Sequence, residues 1–244
     1  MKIAVLAHSF PRFPGDTHGP FVKRLSEEMA RLGHEVHVLV PYDEEIAPAP
    51  ESPLTMHHFR YVKPDGLHLL GYSRTLKGDV GMRLGAWLQS PLYFFFGERA
   101  LRRLVRQKGI DLIHAHWILP NGYIASRVSE ATGVPCAVTL HGSDVFMAER
   151  NPLFTRMARQ ALGRASYVTS CSGPLRERLV ALAENGDDAP GDKVHLVPNG
   201  TDVTPMDDEG DRGRAVRERH GIAPEAPVLA AVGRLVHKKG FDVL

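Results

Sequence analysis

Short apolar runs alternate with stretches of helical periodicity along most of this chain, and that alternation restricts the fold more than any other feature. Residues 3–6 form an unbroken apolar run, the pattern of a strand buried on both faces of a parallel sheet. A loop of turn formers follows, with Pro11, Pro14, Gly15, Asp16 and Gly19. Pro20 suits the first position of a helix, where a missing N–H costs nothing. Phe21, Leu25, Met29 and Leu32 recur at helical spacing and predict its apolar face, and Gly33 suits its C-cap. Val36, Val38 and Val40 supply the next strand. This is a βαβ unit, which implies parallel pairing and a right-handed crossover.

The pattern repeats downstream. Strands are expected over residues 55–62, 111–116, 135–140, 167–171 and 194–197. Helices are expected over 82–108, with a break at Pro91, and over 120–132, 152–163 and 174–183. The fold class is therefore α/β, a Rossmann-like doubly wound parallel sheet over residues 1–203. Residues 204–226 read as a polar, acidic linker that leads into a short helix. Residues 227–232 form a fresh apolar run followed by Gly233-Arg234 and a basic loop. Residues 227–244 are thus expected to hold the first strand and phosphate loop of a second, truncated Rossmann-like domain.

Composition excludes several classes. With 43% hydrophobic and 24% charged residues, the chain can bury a core and is not disordered throughout. A net charge of +2 provides no global field for nucleic acid. Cys136 and Cys171 are too few for a disulfide scaffold, lie in apolar strand patterns and read as inert buried thiols. The N-terminal apolar run is too short for a signal peptide, and no run of about 18 apolar residues occurs. The expected location is cytoplasmic.

Ligands of open parallel sheets sit beyond the carboxyl ends of the strands. Those ends carry His8-Ser9 and the loop to Gly19, His116-Trp117 with Asn121-Gly122, His141-Gly142-Ser143-Asp144, Ser170 and Ser172, and Asn199-Gly200. A crevice at that edge is expected. The loop to Gly19 lacks the G-x-G-x-x-G spacing of a dinucleotide site. His114, His116 and His141 imitate a zinc triad, but no acidic ligand has matching spacing, so no metal is expected. Arg234 and Lys239 follow the last apolar run beside Gly240. They offer a planar fork and a point charge for phosphate.

Taken in order, these segments resemble family 4 glycosyltransferases, retaining enzymes of the two-domain GT-B fold. The segment Gly233-Arg234-Leu235-Val236-His237-Lys238-Lys239-Gly240-Phe241-Asp242-Val243-Leu244 is similar to the family's G-R-L-x-x-x-K-G-x-D-x-L signature. Gly33-His34-Glu35-Val36, Asp111-Leu112-Ile113-His114-Ala115-His116, Thr139-Leu140-His141-Gly142-Ser143-Asp144 and Val197-Pro198-Asn199-Gly200-Thr201-Asp202 resemble further motifs in the family's order.

The resemblance implies roles. Arg234 and Lys239 would hold the donor diphosphate and stabilise the leaving group. His141 would contact the donor sugar near the reacting carbon. Gly19 would let the backbone approach the donor phosphates, and Asn199 would join the donor site. His116 and Asp144 would lie on the acceptor side. The substrates implied are a nucleoside diphosphate sugar and a hydroxyl of a glycan or lipid-linked acceptor, with no cofactor and no metal.

The family's second domain normally supplies the nucleoside pocket, and this chain ends about one helical turn after Gly240. The 244 residues alone are therefore expected to transfer little or nothing. Competing readings are a catalytically silent sugar- or nucleotide-binding module, a sugar-nucleotide epimerase of the same architecture, and a metal-dependent hydrolase. Residues 83–108 place Trp87, Tyr93, Phe94, Phe95 and Phe96 beside Arg99, Arg102, Arg103 and Arg106. That arrangement suits either peripheral contact with an anionic membrane or a helix that buries its aromatics.

Overall fold

The computed structural model describes residues 1–47, 52–72, 76–77, 81–82, 84–149, 151–184, 193–200, 209–233, 235 and 240–243. The chain divides into two units, Met1–Gly200 and Thr201–Leu244. The first is built on a seven-stranded sheet of β1 (Lys2–Leu6), β2 (Glu35–Pro41), β3 (Leu54–Phe59), β6 (Leu112–His116), β7 (Cys136–Leu140), β8 (Tyr167–Ser170) and β9 (Val194–Leu196). The spatial order is β3-β2-β1-β6-β7-β8-β9, and every ladder is parallel. The order reverses between β1 and β6, which is where open α/β sheets form a crevice. A separate two-stranded pair, β4 (Leu76–Lys77) with β5 (Gly81–Met82), has no counterpart in the sequence pattern.

Among the described residues, six α-helices belong to this unit: α1 (Pro20–Arg31), α2 (Leu84–Lys108), α3 (Tyr123–Thr132), α4 (Ser143–Glu149), α5 (Pro152–Arg164) and α6 (Gly173–Glu184). Side chains alternate across a strand, so the apolar run of β1 feeds two cores. Ala4 and Leu6 join the larger core with Ile113, Ala115, Leu101 and Ile124. Ile3 and Val5 join the smaller one with Val36, Val38 and Val22. Both faces of the sheet are covered, which is why the central strand β1 is apolar from Ile3 to Leu6.

Three expectations change. The buried residues of α1 are Val22 and Ser26, while Leu25 and Leu32 are exposed. The Ser26 hydroxyl donates to the Val22 carbonyl at 2.8 Å, so a polar side chain sits on the sheet side without an unmet hydrogen bond. Helix α2 runs through Pro91 without a break. Pro91 is exposed, so the carbonyl one turn before it, which the missing N–H leaves without a helical partner, lies on the water side. Third, residues 143–149, for which no helix is expected from the sequence, form α4.

In the second unit, α7 (Glu209–Arg219) is followed by a turn that the Arg217 guanidinium fastens through the carbonyls of Ala223 (2.9 Å) and Ala226 (2.8 Å). The buried strand expected over 227–232 is not formed. Leu229 and Val232 are almost fully exposed, and none of the described residues of this unit pairs with the segment. An apolar run becomes a buried strand only with ladder partners and a covering layer, and the described part of this unit offers neither.

Candidate functional site

The carboxyl ends of β1, β6 and β7 converge. His8 follows β1, His116 ends β6, and His141 follows β7. The His116 and His141 rings are stacked at 5.3 Å, with His116 Nδ1 3.0 Å from His141 Nε2. His114 packs 4.5 Å behind His116, and its Nε2 lies 2.8 Å from the Thr139 hydroxyl.

Trp117 ties the cluster together. Its indole lies 4.2 Å from His8, 4.8 Å from His141 and 5.8 Å from Phe21, ring centre to ring centre. Its backbone has φ 65°, a left-handed conformation that strains a bulky residue. The strain is held by its own N–H, which donates to the Thr139 carbonyl at 2.8 Å, and by its carbonyl, which accepts from Gly122 at 3.0 Å.

All four imidazoles are neutral near pH 7. Burial lowers His8 and His114 to about 4. Burial, with repulsion from His8 and His114, lowers His141 to about 3. His116 is fully buried and pushed well below the ordinary value by burial and by its three histidine neighbours. The His116–His141 hydrogen bond uses one N–H and one lone pair. Among the described residues His116 Nε2 and His141 Nδ1 are both buried without a partner, so whichever tautomer forms, one is a donor and the other an acceptor. Among the described residues no group of three ligands is arranged to hold a metal.

Asn121 fixes a different proton. Its amide nitrogen donates to the His116 carbonyl (2.8 Å) and to His8 Nδ1 (3.2 Å), while its oxygen accepts from the Tyr93 hydroxyl (3.3 Å). His8 therefore carries its hydrogen on Nε2.

Asp144 is buried, and both its oxygens accept main-chain amides: Oδ2 from Ile118 at 2.8 Å and Oδ1 from Gly142 at 3.0 Å. Burial pushes its carboxyl up, against the opposing pull of those amides. It fastens the segment after β6 to the turn after β7.

Gly19 caps α1 at φ 62°. A Cβ there would lie 2.5 Å from the Ser9 carbonyl oxygen, so only glycine fits. The preceding loop is held by Arg12, whose Nε bonds Asp16 at 2.7 Å while Nη1 reaches Asp43 at 3.3 Å and Glu45 at 2.5 Å. Burial opposes ionisation of Asp16, but hydrogen bonds from Arg12 and His18 outweigh it and hold the carboxyl far below its usual range.

The structure thus joins His141, His116, Asp144 and the Gly19 loop at one edge, with Phe21 of α1 lying 4.6 Å from His141. Asn199 lies exposed beyond β9, on the far strand of the sheet. Arg234 and Lys239 fall outside the described residues. The roles of Trp117, Asn121, Arg12 and His8 do not emerge from the sequence. Trp117 stands directly after a strand-end histidine, but its positive φ leaves no mark in the pattern.

Residues 19–204 match the family model described as Glycosyltransferase Family 4. The chain belongs to glycosyltransferase family 4. It is 26% identical to a protein named as a teichuronic acid biosynthesis glycosyltransferase, TuaC of Bacillus subtilis, over 99% of this chain and 60% of that one. It is 31% identical to 2-deoxystreptamine glucosyltransferase of Streptomyces kanamyceticus, over 68% of this chain and 43% of that one. The family 4 chain thus spans less than two thirds of these relatives.

Among solved structures it resembles a sucrose-phosphate synthase chain of Thermosynechococcus elongatus, with a TM-score of 0.56, 16% identity, and coverage of 91% of this chain and 96% of that one. It also resembles Anabaena HepE, crystallised with UDP, with a TM-score of 0.53, 16% identity, and coverage of 91% and 50%. At such identities the likeness is one of fold, and it agrees with the Rossmann-like half of a GT-B enzyme.

Proposed function

We propose that this chain is the acceptor-side part of a glycosyltransferase that moves a sugar from a nucleoside diphosphate sugar to a hydroxyl of a glycan or lipid-linked acceptor, with retention of configuration. Residues 1–203 are the acceptor-side domain, 204–226 the linker, and 227–244 the start of the donor domain. The observation that carries this reading is the convergence of the β1, β6 and β7 ends, where a glycine loop and a cluster of neutral histidines meet.

The neutrality decides how the work is divided. At pH 7, His141 with a pKa of about 3 presents a neutral ring to a donor sugar and no positive charge. Charge to offset the departing diphosphate has to come from elsewhere, and Arg234 and Lys239 are assigned that part. Preorganised groups of this kind are worth several kcal/mol at a developing anion. Gly19 admits the donor phosphates to the main chain, and Asn199 contributes on the donor side. His116 and Asp144 shape the acceptor side, Asp144 by holding the loop that carries Trp117.

Peripheral membrane contact is part of the same proposal. Leu84, Leu88, Leu92 and Phe95 form an exposed stripe along α2, continued by exposed Arg99, Arg103 and Arg106. No described helix is long and apolar enough to cross a membrane. Such a helix is suited to lie on an anionic surface. Co-sedimentation that is the same with neutral and anionic liposomes would remove this part.

The test of transfer uses a protein that carries the region present in the longer relatives. It is expected to consume a nucleoside diphosphate sugar, with the anomeric configuration kept in the product by NMR. Arg234→Ala and Lys239→Ala should each lower kcat by about a hundredfold or more. Unchanged turnover in both would refute the assignment. The 244 residues alone should show negligible transfer.

A further inference from the structure

A cavity of about 130 Å³ opens beside the histidine cluster. Its walls are Leu70, Tyr93, Phe94, Trp117, Leu119 and Phe154, together with Met147 of α4. The polar groups on this wall are mostly committed. The Ser90 hydroxyl donates to the Ala86 carbonyl at 2.8 Å, the Tyr93 hydroxyl to Asn121, and Asp144 has both oxygens on main-chain amides. His8 is different. Asn121 occupies its Nδ1, so its Nε2–H remains for a ligand, and no partner meets it among the described residues.

Resting on the reading of the chain as the acceptor-side part of a transferase, we infer that this cavity seats an apolar group carried by the acceptor, next to the hydroxyl that receives the sugar. Size sets the occupant. An apolar cavity of about 150 Å³ holds a benzene molecule and stays dry when empty. This one therefore fits about six carbons, as an aryl ring or the first part of an alkyl or prenyl chain. A nucleobase is a poor occupant, because several polar edges would enter a wall whose uncommitted side-chain donors, among the described residues, are the His8 Nε2–H and the Ser143 hydroxyl at its rim. A bare sugar is poor for the same reason. The His8 Nε2–H then meets an oxygen of the polar part.

The wall is preformed rather than assembled on binding. Trp117 is held in its strained conformation by two main-chain hydrogen bonds, and Trp87 stacks on Phe154 at 5.0 Å with their planes 6° apart. His8 is held from behind by Tyr72, whose N–H donates to the His8 carbonyl at 3.1 Å. A preformed pocket spares the ordering cost of binding.

The test needs no donor. n-Alkyl β-D-glucosides from methyl to octyl, and phenyl β-D-glucoside, are titrated into the 244-residue protein by calorimetry and tryptophan fluorescence. Affinity should rise by roughly fourfold per methylene, from the free energy of burying one CH₂, and level off near six carbons. A phenyl glucoside that binds at least as tightly as hexyl assigns the slot to aryl acceptors; tighter hexyl binding assigns it to alkyl or prenyl chains.

Ser90→Leu keeps a good helix former in α2 and fills the cavity, so the rise should end at shorter chains. Met147→Ala enlarges the cavity and should move the plateau to longer ones. An affinity that does not depend on chain length, or a plateau that neither variant moves, would overturn the inference. The two readings fail separately. Sugar transfer with a flat series removes the subsite alone, and a rising series with no donor turnover in the longer protein removes the transferase alone.

Discussion

Gly19 sits so close to Ser9 that a methyl group on its α-carbon would lie 2.5 Å from the Ser9 carbonyl oxygen. The obstacle is main chain, which cannot swing aside. Gly15, in the same loop, shares the left-handed backbone at φ 86° but faces open space. Alanine at Gly15 should cost only the conformational penalty, about 1–2 kcal/mol. Alanine at Gly19 should cost at least about 1 kcal/mol more, because the loop must move. Urea unfolding of the two variants measures the difference, and equal midpoints would show that the close approach is not real.

The sheet is readable because burial on both faces writes itself into the chain as unbroken apolar runs, and the strands expected from 3–6, 111–116 and 135–140 match β1, β6 and β7 closely. The face of α1 is not, because Leu25 and Leu32 are apolar yet exposed, while Ser26 is polar yet buried with its hydrogen bond met inside the helix. Composition cannot register that exchange. The strand-end histidines are readable as polar residues at predicted carboxyl ends. The roles of Trp117 and Asn121 are not, since they come from a backbone angle and from partners as distant in sequence as His8, 113 residues away.

Asp144 joins two loops through one carboxylate. Asp144→Asn keeps the shape but turns an NH₂ group toward an amide that needs an acceptor. Either Ile118 or Gly142 then loses its partner. A buried donor left unmatched costs about 1–3 kcal/mol. Thermal unfolding should show that loss, and the emission of Trp117, whose backbone adjoins Ile118, should change in the folded variant. Unchanged stability would mean that the two amides find water.

Arg12 gathers Asp16, Asp43 and Glu45 around one guanidinium. Removing one partner of a buried pair leaves a charge without compensation, at about 3–5 kcal/mol. Arg12→Met should approach that cost in urea unfolding. Arg12→Lys should recover part of it, because a point charge cannot reach three carboxylates as the planar guanidinium does. If the Met variant falls within about 1 kcal/mol of the parent, the ion cluster does not hold the loop.

The histidine cluster makes stability depend on pH with a definite sign. In the unfolded chain these imidazoles protonate near pH 6.5, whereas in the folded protein His8 and His114 wait until about 4 and His141 until about 3. Between those limits the unfolded state binds more protons, so stability falls as pH drops from about 6.5 toward 4. Each pH unit that separates folded from unfolded titration is worth about 1.4 kcal/mol per group, and the groups interact, so a total loss of several kcal/mol is expected across the window. Asp16, held low, keeps its full contribution above about pH 4, where an unperturbed carboxylate is already ionised, and does not mask the effect. His57 and His58 are lowered too, His57 by burial and then by His37, and His58 by burial and then by Arg60, so they add to the slope. His114→Gln separates the sources: it can keep a hydrogen bond to Thr139 while removing one titrating group and the repulsion it exerts on His116. Urea midpoints at pH 7.5, 6.5, 5.5 and 4.5 should decline less steeply in that variant than in the parent. Identical slopes would show that His114 already protonates freely in the folded protein.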